Sequence, residues 1–338
     1  MPFAICFVKL HEKINLKPDT KKALSLIVKI LILVFAAAFI YQKLSNNSNL
    51  DNFKALLSRI PPRRVGAILI LVFLLMFVNW FLEAAKWRSL IKRIQRISFY
   101  KAVESVFCGL TLAIFTPNRI GEYGGRIFFL APRRRILGAI AMGVGAVGQM
   151  VITNIFGACA ILWFVWKFYQ LNPWLELSLG FITAIFCLFF LLFYFNIRVI
   201  YTWLVQIKFL KKLHKFFFVL MRFRRKYLLE IFIYCFARFA VFTSQYCLII
   251  NLLLPEMLIF PMVMMIFILF FIQSALPSLD LLDIGVRSLT ATYFFGFITT
   301  ESVAIMAATA CIWLINLIIP AILGSVFVFK LKFFDNNN

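Results

Sequence analysis

The chain has 338 residues, 63% hydrophobic and only 14% charged, with 36 Lys and Arg against 13 Asp and Glu for a net charge of +23. Several apolar runs reach the roughly 18 or more residues needed to cross a bilayer core, which excludes a soluble globular protein and predicts an all-α, polytopic helical membrane protein. The basic excess lies in the connections between those runs, where it orients a chain in the membrane, so nucleic acid is not an expected partner.

Residues 1–22 are mixed and basic, and the apolar run Phe3 to Val8 is too short for a signal-peptide core. Ala23 to Leu44 reads as a first, retained span, with Lys29 snorkelling near its start. The polar stretch 45–64 ends in R-I-P-P-R-R, whose prolines stop any helix there. Val65 to Leu82 is the second span, running into E-A-A-K-W-R at Glu83 to Arg88. Glu83, Lys86 and Trp87 share one helical turn. They read first as an interfacial anchor of Trp with basic residues, and second as a ligand contact.

Phe99 to Phe115 is moderately apolar, carries Glu104, and leads into T-P-N-R-I-G-E-Y-G-G-R at Thr116 to Arg126. Only five apolar residues, 127–131, then precede Pro132 and three arginines, so 99–131 is expected to be a re-entrant hairpin with the motif near its tip. Pro117 opens the motif, and Gly121, Gly124 and Gly125 predict that it is a loop. A loop at membrane depth must be covered by protein or line a wet cavity. Arg119, Glu122 and Arg126 would each cost about 2.5–3.5 kcal/mol there, a cost that suggests the holding of a charged ligand.

Ile136 to Trp166 is the third span, with Gly138, Gly143, Gly145 and Gly148 allowing close helix approach and Gln149 and Asn154 polar within it. Leu175 to Phe195 is the fourth. The connection 196–227 contains K-F-L-K-K-L-H-K-F-F-F-V-L-M-R-F-R-R-K at Lys208 to Lys226, with Lys and Arg on one helical face and Phe and Leu on the other. That pattern predicts an amphipathic helix on the anionic cytoplasmic leaflet. Leu228 to Leu253, the fifth span, holds Arg238 near its middle. Ile259 to Ala275 leads to L-P-S-L-D-L-L-D-I-G-V-R at Leu276 to Arg287, and Ser302 to Phe329 is the sixth span.

The two motifs share acid-x-Gly-x-Arg: Glu122 to Arg126 aligns with Asp283 to Arg287, each after a proline, Pro117 or Pro277. Each copy follows an apolar run at a comparable place in its half, which indicates an internal duplication. The basic stretches 83–101, 133–135, 198–226 and the C-terminus are expected inside, while 167–176, 254–258 and the region of Glu301 are expected outside. The basic stretch 45–64 falls outside on the same count, against the rule. The expected architecture is one integral domain, 1–338, of about six full spans plus two re-entrant hairpins. It is built as an inverted repeat of 23–166 and 175–329 around the connection 196–227, with the site where the repeats meet.

These motifs, with Lys86-Trp87 after the second span, resemble those of the lysylphosphatidylglycerol synthase transmembrane-region family, also called flippase-like domain proteins. The family commonly has Glu where this chain has Asp283, and often Gly or Glu where this chain has Ser288. The resemblance implies a domain that moves an aminoacylated phospholipid across the bilayer, a separate soluble domain being the part that makes the lipid. The expected location is the cell (plasma or inner) membrane with both termini cytoplasmic.

The leading expectation is therefore a flippase or transporter binding an anionic or aminoacylated lipid. Arg126 and Arg287 would grip the phosphate, and Glu122 and Asp283 would hold the arginines or meet a cationic head group. Arg119 and Arg238 would add charge, and Gly121, Gly124, Gly125 and Gly285 would admit backbone amides. Further partners would be a second copy or a separate lipid-modifying enzyme. The alternatives are a membrane head-group transferase with Glu122 or Asp283 as general base, and a non-transporting partner subunit. Seven cysteines without a C-x-x-C pair and two histidines in basic stretches give no metal site, cofactor or catalytic nucleophile.

Overall fold

The computed structural model describes residues 58, 60–114, 116, 119–206, 214–275 and 280–328, and among them the chain is helical with no strand. Five helical stretches are long and apolar enough to cross a membrane. They are α1 (Pro62–Ile91), α4 (Arg135–Phe168, preceded by the 3-10 turn Pro132–Arg134), α5 (Pro173–Phe195), α8 (Arg225–Leu253), and the stretch Ser302–Val328. The last is α11 (Ser302–Trp313) and α12 (Ile319–Val328), joined by a π-helical turn at Leu314–Ile318. The expected span 23–44 lies outside the described residues.

Helix is the only backbone solution for such runs in lipid, because every amide must find its partner within the segment. Local signals set the ends. Pro62 and Pro173 open α1 and α5 at positions where a missing N–H costs nothing. Asn172 Oδ1 accepts from the Trp174 amide at 3.1 Å. α1 runs nine residues beyond the expected end at Leu82, since nothing between Glu83 and Ile91 breaks a helix. Its inner face is Met76, Trp80, Ala84, Trp87 and Ile91, a helical stripe fully withdrawn from the surface.

The stretch after α1 is a hairpin. α2 (Phe99–Ala113) is capped by Ser98 Oγ, which accepts from the Lys101 amide at 3.2 Å. α3 (Ile120–Ile127) returns against it. At 1.5 Å per residue these arms are about 22 and 12 Å long, short of a bilayer core of about 30 Å. In the second half α9 (Ile259–Ala275) and α10 (Asp280–Phe295) occupy the comparable position at about 25 and 24 Å.

The connection differs from the single amphipathic helix expected over Lys208 to Lys226. It consists of α6 (Ile197–Gln206), α7 (His214–Phe217) and a 3-10 turn, Phe218–Arg222, with 207–213 outside the described residues. Chain leaves the helical conformation at Phe223, which is buried, and α8 starts at Arg225. Burial of Val219, Leu220 and Phe223 against the body of the protein overrides the helical periodicity.

α1 and α8 pack along each other at the centre. α2 lies against α1, α3 and α12, while α9 lies against α8, α10 and α4. α5 sits outside, on α4, with Phe181, Ile182, Leu188 and Phe189 exposed toward the lipid.

Candidate functional site

The first motif is a helix and not a loop. Arg119 takes the left-handed conformation, φ 55° and ψ 30°, the one non-glycine residue to do so among the described residues. Ile120 to Ile127 then winds as α3. Thr116 supplies the cap: its Oγ1 accepts from the Gly121 amide at 2.6 Å. The glycines serve close approach to α2. A Cβ on Gly121 would stand 2.1 Å from the Leu112 carbonyl oxygen, and one on Gly125 would stand 2.3 Å from Gly109 Cα. A Cβ on Gly124 would meet only the Phe128 ring, at an ordinary contact distance of 3.9 Å. Pro117 lies outside the described residues.

This packing turns the polar side of α3 toward α1 and α8. Arg126 Nη1 donates to Glu83 Oε1 at 2.5 Å, and Arg126 Nη2 donates to Glu122 Oε1. Lys86 Nζ stands 2.7 Å from Glu83 Oε2, which also accepts from Arg238 Nη1. Arg238 Nε donates to Asn79 Oδ1 at 2.9 Å, and its guanidinium lies 5.2 Å from the Trp80 ring centre, a cation–π contact. Arg119 Nε sits 3.3 Å from Glu122 Oε2.

Two carboxylates thus meet four cations, a formal excess of +2 over the six side chains. Exposure is graded across them. Glu83 and Lys86 side chains are 5% exposed and Arg126 2%, whereas Arg238 is 16%, Glu122 18% and Arg119 37%. The cluster therefore has a sealed inner end at Glu83 and an open end at Arg119. Three buried donors of the cluster, Arg126 Nε, Arg119 Nη2 and Arg119 Nε, make no hydrogen bond among the described residues, the last standing only at ion-pair distance from Glu122. Leaving such a donor unsatisfied costs about 1–3 kcal/mol.

Of the residues expected at a site, Arg119, Glu122, Arg126 and Arg238 come together here. Arg287 is half-buried on α10, and Asp283 and Gly285 lie in the part of α10 whose side chains are outside the described ones. Pro277 is also outside them. α10 packs on α9 and α11, whereas α3 packs on α2 and α4.

The reading of Glu83, Lys86 and Trp87 as an interfacial anchor is corrected. All three are buried, Trp87 completely, because α1 continues past them and its neighbours cover this turn. The missed signal was the uninterrupted helix-forming stretch E-A-A-K-W-R-S-L-I: an acid and a lysine three apart inside a continuing helix neutralise one another in the interior. Asn79 and Trp80 carried no signal of their own, since only their distance from Arg238 marks them.

The family model for the lysylphosphatidylglycerol synthase TM region matches residues 26–324, which takes in four of the five crossing stretches whole, most of the fifth, and both motifs. The chain belongs to this family. No curated protein and no solved structure matches it. As a lysylphosphatidylglycerol synthase transmembrane-region protein, it is a helical membrane protein of a lipid-related family, and its ionic cluster joins three elements spread over about half of the matched length.

Proposed function

We propose that the chain binds the anionic head group of a membrane lipid at the cluster of Glu83, Glu122, Lys86, Arg119, Arg126 and Arg238 and moves that lipid between the leaflets of the cell membrane. The observation that carries this reading is the surplus of cations: four against two carboxylates, inside apolar helices. A purely structural network tends toward neutrality, because each uncompensated charge at membrane depth costs about 2.5–3.5 kcal/mol. A phosphate would balance the excess, and guanidinium forks fit its oxygens. The gradation of exposure gives it an approach by way of Arg119 and Arg238. Arg287, with Asp283 and Gly285, would complete the site from the second half of the chain.

The test uses phosphatidylcholine vesicles carrying the protein and a tail-labelled fluorescent phosphatidylglycerol, with an impermeant quencher reporting the outer leaflet. Wild type should equilibrate the probe faster than protein-free vesicles. Arg238→Gln should reduce the rate to background while the protein keeps its thermal transition, and Arg238→Lys should restore part of it, a point charge replacing the fork. A folded Arg238→Gln protein that moves the probe at the wild-type rate would overturn the reading.

A further inference from the structure

The ionic cluster is built by α1, α3 and α8. A fourth element, α4, brings a polar side chain to the same place. α4 and α8 start at one end of the molecule, where Arg134 Nη1 donates to the Ile94 carbonyl at 2.8 Å and Arg93 Nη1 to the Arg222 carbonyl at 2.6 Å. The two helices pack against each other. Gln149 stands fourteen residues into α4 and Arg238 thirteen into α8, about 21 and 20 Å from their starts, so both lie at one level. Gly145, Gln149 and Phe156 share one stripe of α4, at i, i+4 and i+11. On one side of Gln149, the Gly145 carbonyl accepts from Cys235 Sγ at 3.6 Å, and a Cβ on Gly145 would stand 3.6 Å from Lys86 Cε. On the other, the Phe156 ring stacks on Phe239 with centres 5.1 Å apart. Gln149 therefore faces the segment 235–239 of α8, which carries Arg238, one turn beyond a contact with Lys86.

The side-chain oxygen of Gln149, Oε1, is buried and accepts no hydrogen bond among the described residues. Thr153, one turn on, gives its hydroxyl to the Gln149 main-chain carbonyl at 3.1 Å instead. Packing does not require an amide at such a place. In the register that lays Asp283 over Glu122, Ala310 stands where Gln149 does, and it is completely buried. Buried polar groups are paired as a rule, so an acceptor left open beside a cationic cluster marks a place for a donor from outside the chain. The open groups are then of two kinds. Arg126 and Arg119 offer N–H donors, and Gln149 offers an acceptor. A phosphate answers the first and not the second. An ammonium group would answer the second, but as a fifth cation where four already outnumber two carboxylates. A hydroxyl answers it without adding charge.

We propose that Gln149 is a specificity-determining residue of this site, its Oε1 accepting a hydrogen bond from a hydroxyl of the lipid head group while the arginines hold the phosphate. The lipid is then one whose head carries both an anionic phosphate and a free hydroxyl. This rests on the reading of the cluster as a head-group site, and it goes beyond that reading by selecting among lipids of equal charge.

The test compares two tail-labelled probes of equal charge in the vesicle assay: phosphatidylglycerol, whose head group has free hydroxyls, and phosphatidylmethanol, whose head group has none. Wild type should move the first about fivefold faster, the worth of one neutral hydrogen bond. Gln149→Met keeps the length of the side chain and removes the acceptor, so the ratio should fall to about one. Arg238→Gln should slow both probes, which reads the charge surplus separately. The same ratio is read from retention of the two lipids, at equal fractions in phosphatidylcholine nanodiscs, by native mass spectrometry, so a chain that binds lipid without moving it still gives an answer. A wild-type ratio near one in both readouts, or a ratio that survives Gln149→Met, would overturn the proposal. A water held at Oε1 would give such a result, since it serves both lipids alike. A retention ratio lost in Gln149→Met, with neither probe moved by wild type, would keep the subsite and count against lipid movement only. Should Gln149→Met melt early, Gln149→Ala decides the matter by the same ratio.

Discussion

At the scale of single residues, the two carboxylates of the cluster are not equivalent. Glu83 is sealed in and holds Arg126, Lys86 and Arg238, whereas Glu122 is more open and holds Arg126 and Arg119. Glu83→Ala would leave three cations facing one another in the interior. It should cost about 3–5 kcal/mol of stability, the range for breaking a buried ion pair, seen as a lowered unfolding temperature in detergent. Glu122→Gln should behave differently. It keeps the shape, costs far less stability, and removes the carboxylate that occupies one arm of Arg126 at the open end. If the ligand is an anionic phosphate, Glu122 competes with it, and Glu122→Gln should bind phosphatidylglycerol more tightly than wild type. Weaker binding by a folded Glu122→Gln protein would instead show the acid meeting a cationic part of the head group. The difference between these acids was not legible in the sequence. Glu122 stood out because its neighbours are glycines and arginines in an apolar chain, while Glu83 stood at what looked like the end of a span.

At the scale of the element, the hairpin of α2 and α3 shows why glycine was misread. Glycine in a polar stretch suggests a turn, and the motif was expected to be loop. Here Gly121 and Gly125 lie on one face of α3, four residues apart, and let its backbone touch α2. The same spacing in a clearly apolar helix would have been read as a packing stripe. Arg126 follows Gly125 directly, so the glycine contact fixes where the guanidinium stands. Gly125→Ala should force the arms apart, since its Cβ would meet Gly109 Cα at 2.3 Å and Gly109 N at 2.6 Å. Overpacking of this kind costs about 1–3 kcal/mol. Lipid movement should fall with it, because the misplaced Arg126 loses its partners. Gly143→Ala on α4 is the control: nothing lies within 4 Å of a Cβ there, and stability and movement should stay at wild-type values. A Gly125→Ala protein with wild-type melting and movement would mean that the contact does not position Arg126.

At the scale of the whole molecule, the crossing helices were legible because hydropathy over a span is a sum of many residues. Predicted and observed limits for α4, α5 and α8 differ by three residues or fewer at each end. The pairing of helices was not legible, since apolar faces carry no address. That pairing now bears on the duplication. Exchange α1 with α8, α2 with α9, α3 with α10, and α4 with α11–α12. The α1–α8 pair maps onto itself, α2–α12 maps onto α9–α4, and α1–α2, α2–α3 and α3–α4 map onto α8–α9, α9–α10 and α10–α11. Each of these pairs is in contact, the pattern that two repeats related by a two-fold exchange would give. Inverted repeats require opposite orientations, so the exchange has a consequence for sidedness. Arg134 and Arg222 are tied to residues 93 and 94 at the end of α1, which puts the starts of α4 and α8 at one surface. Asn172, after α4, and Pro255, after α8, must then lie at the other. Single cysteines placed in a cysteine-free background at Asn172 and Pro255 should react with an impermeant thiol reagent added to intact cells, and cysteines at Arg133 and Arg224 should react only after the membrane is opened. Basic residues favour the cytoplasmic side, which fixes the sign of the expectation. Labelling of Pro255 and Arg224 from the same side would remove α8 as a crossing helix, and with it the exchange that makes Arg287 the counterpart of Arg126.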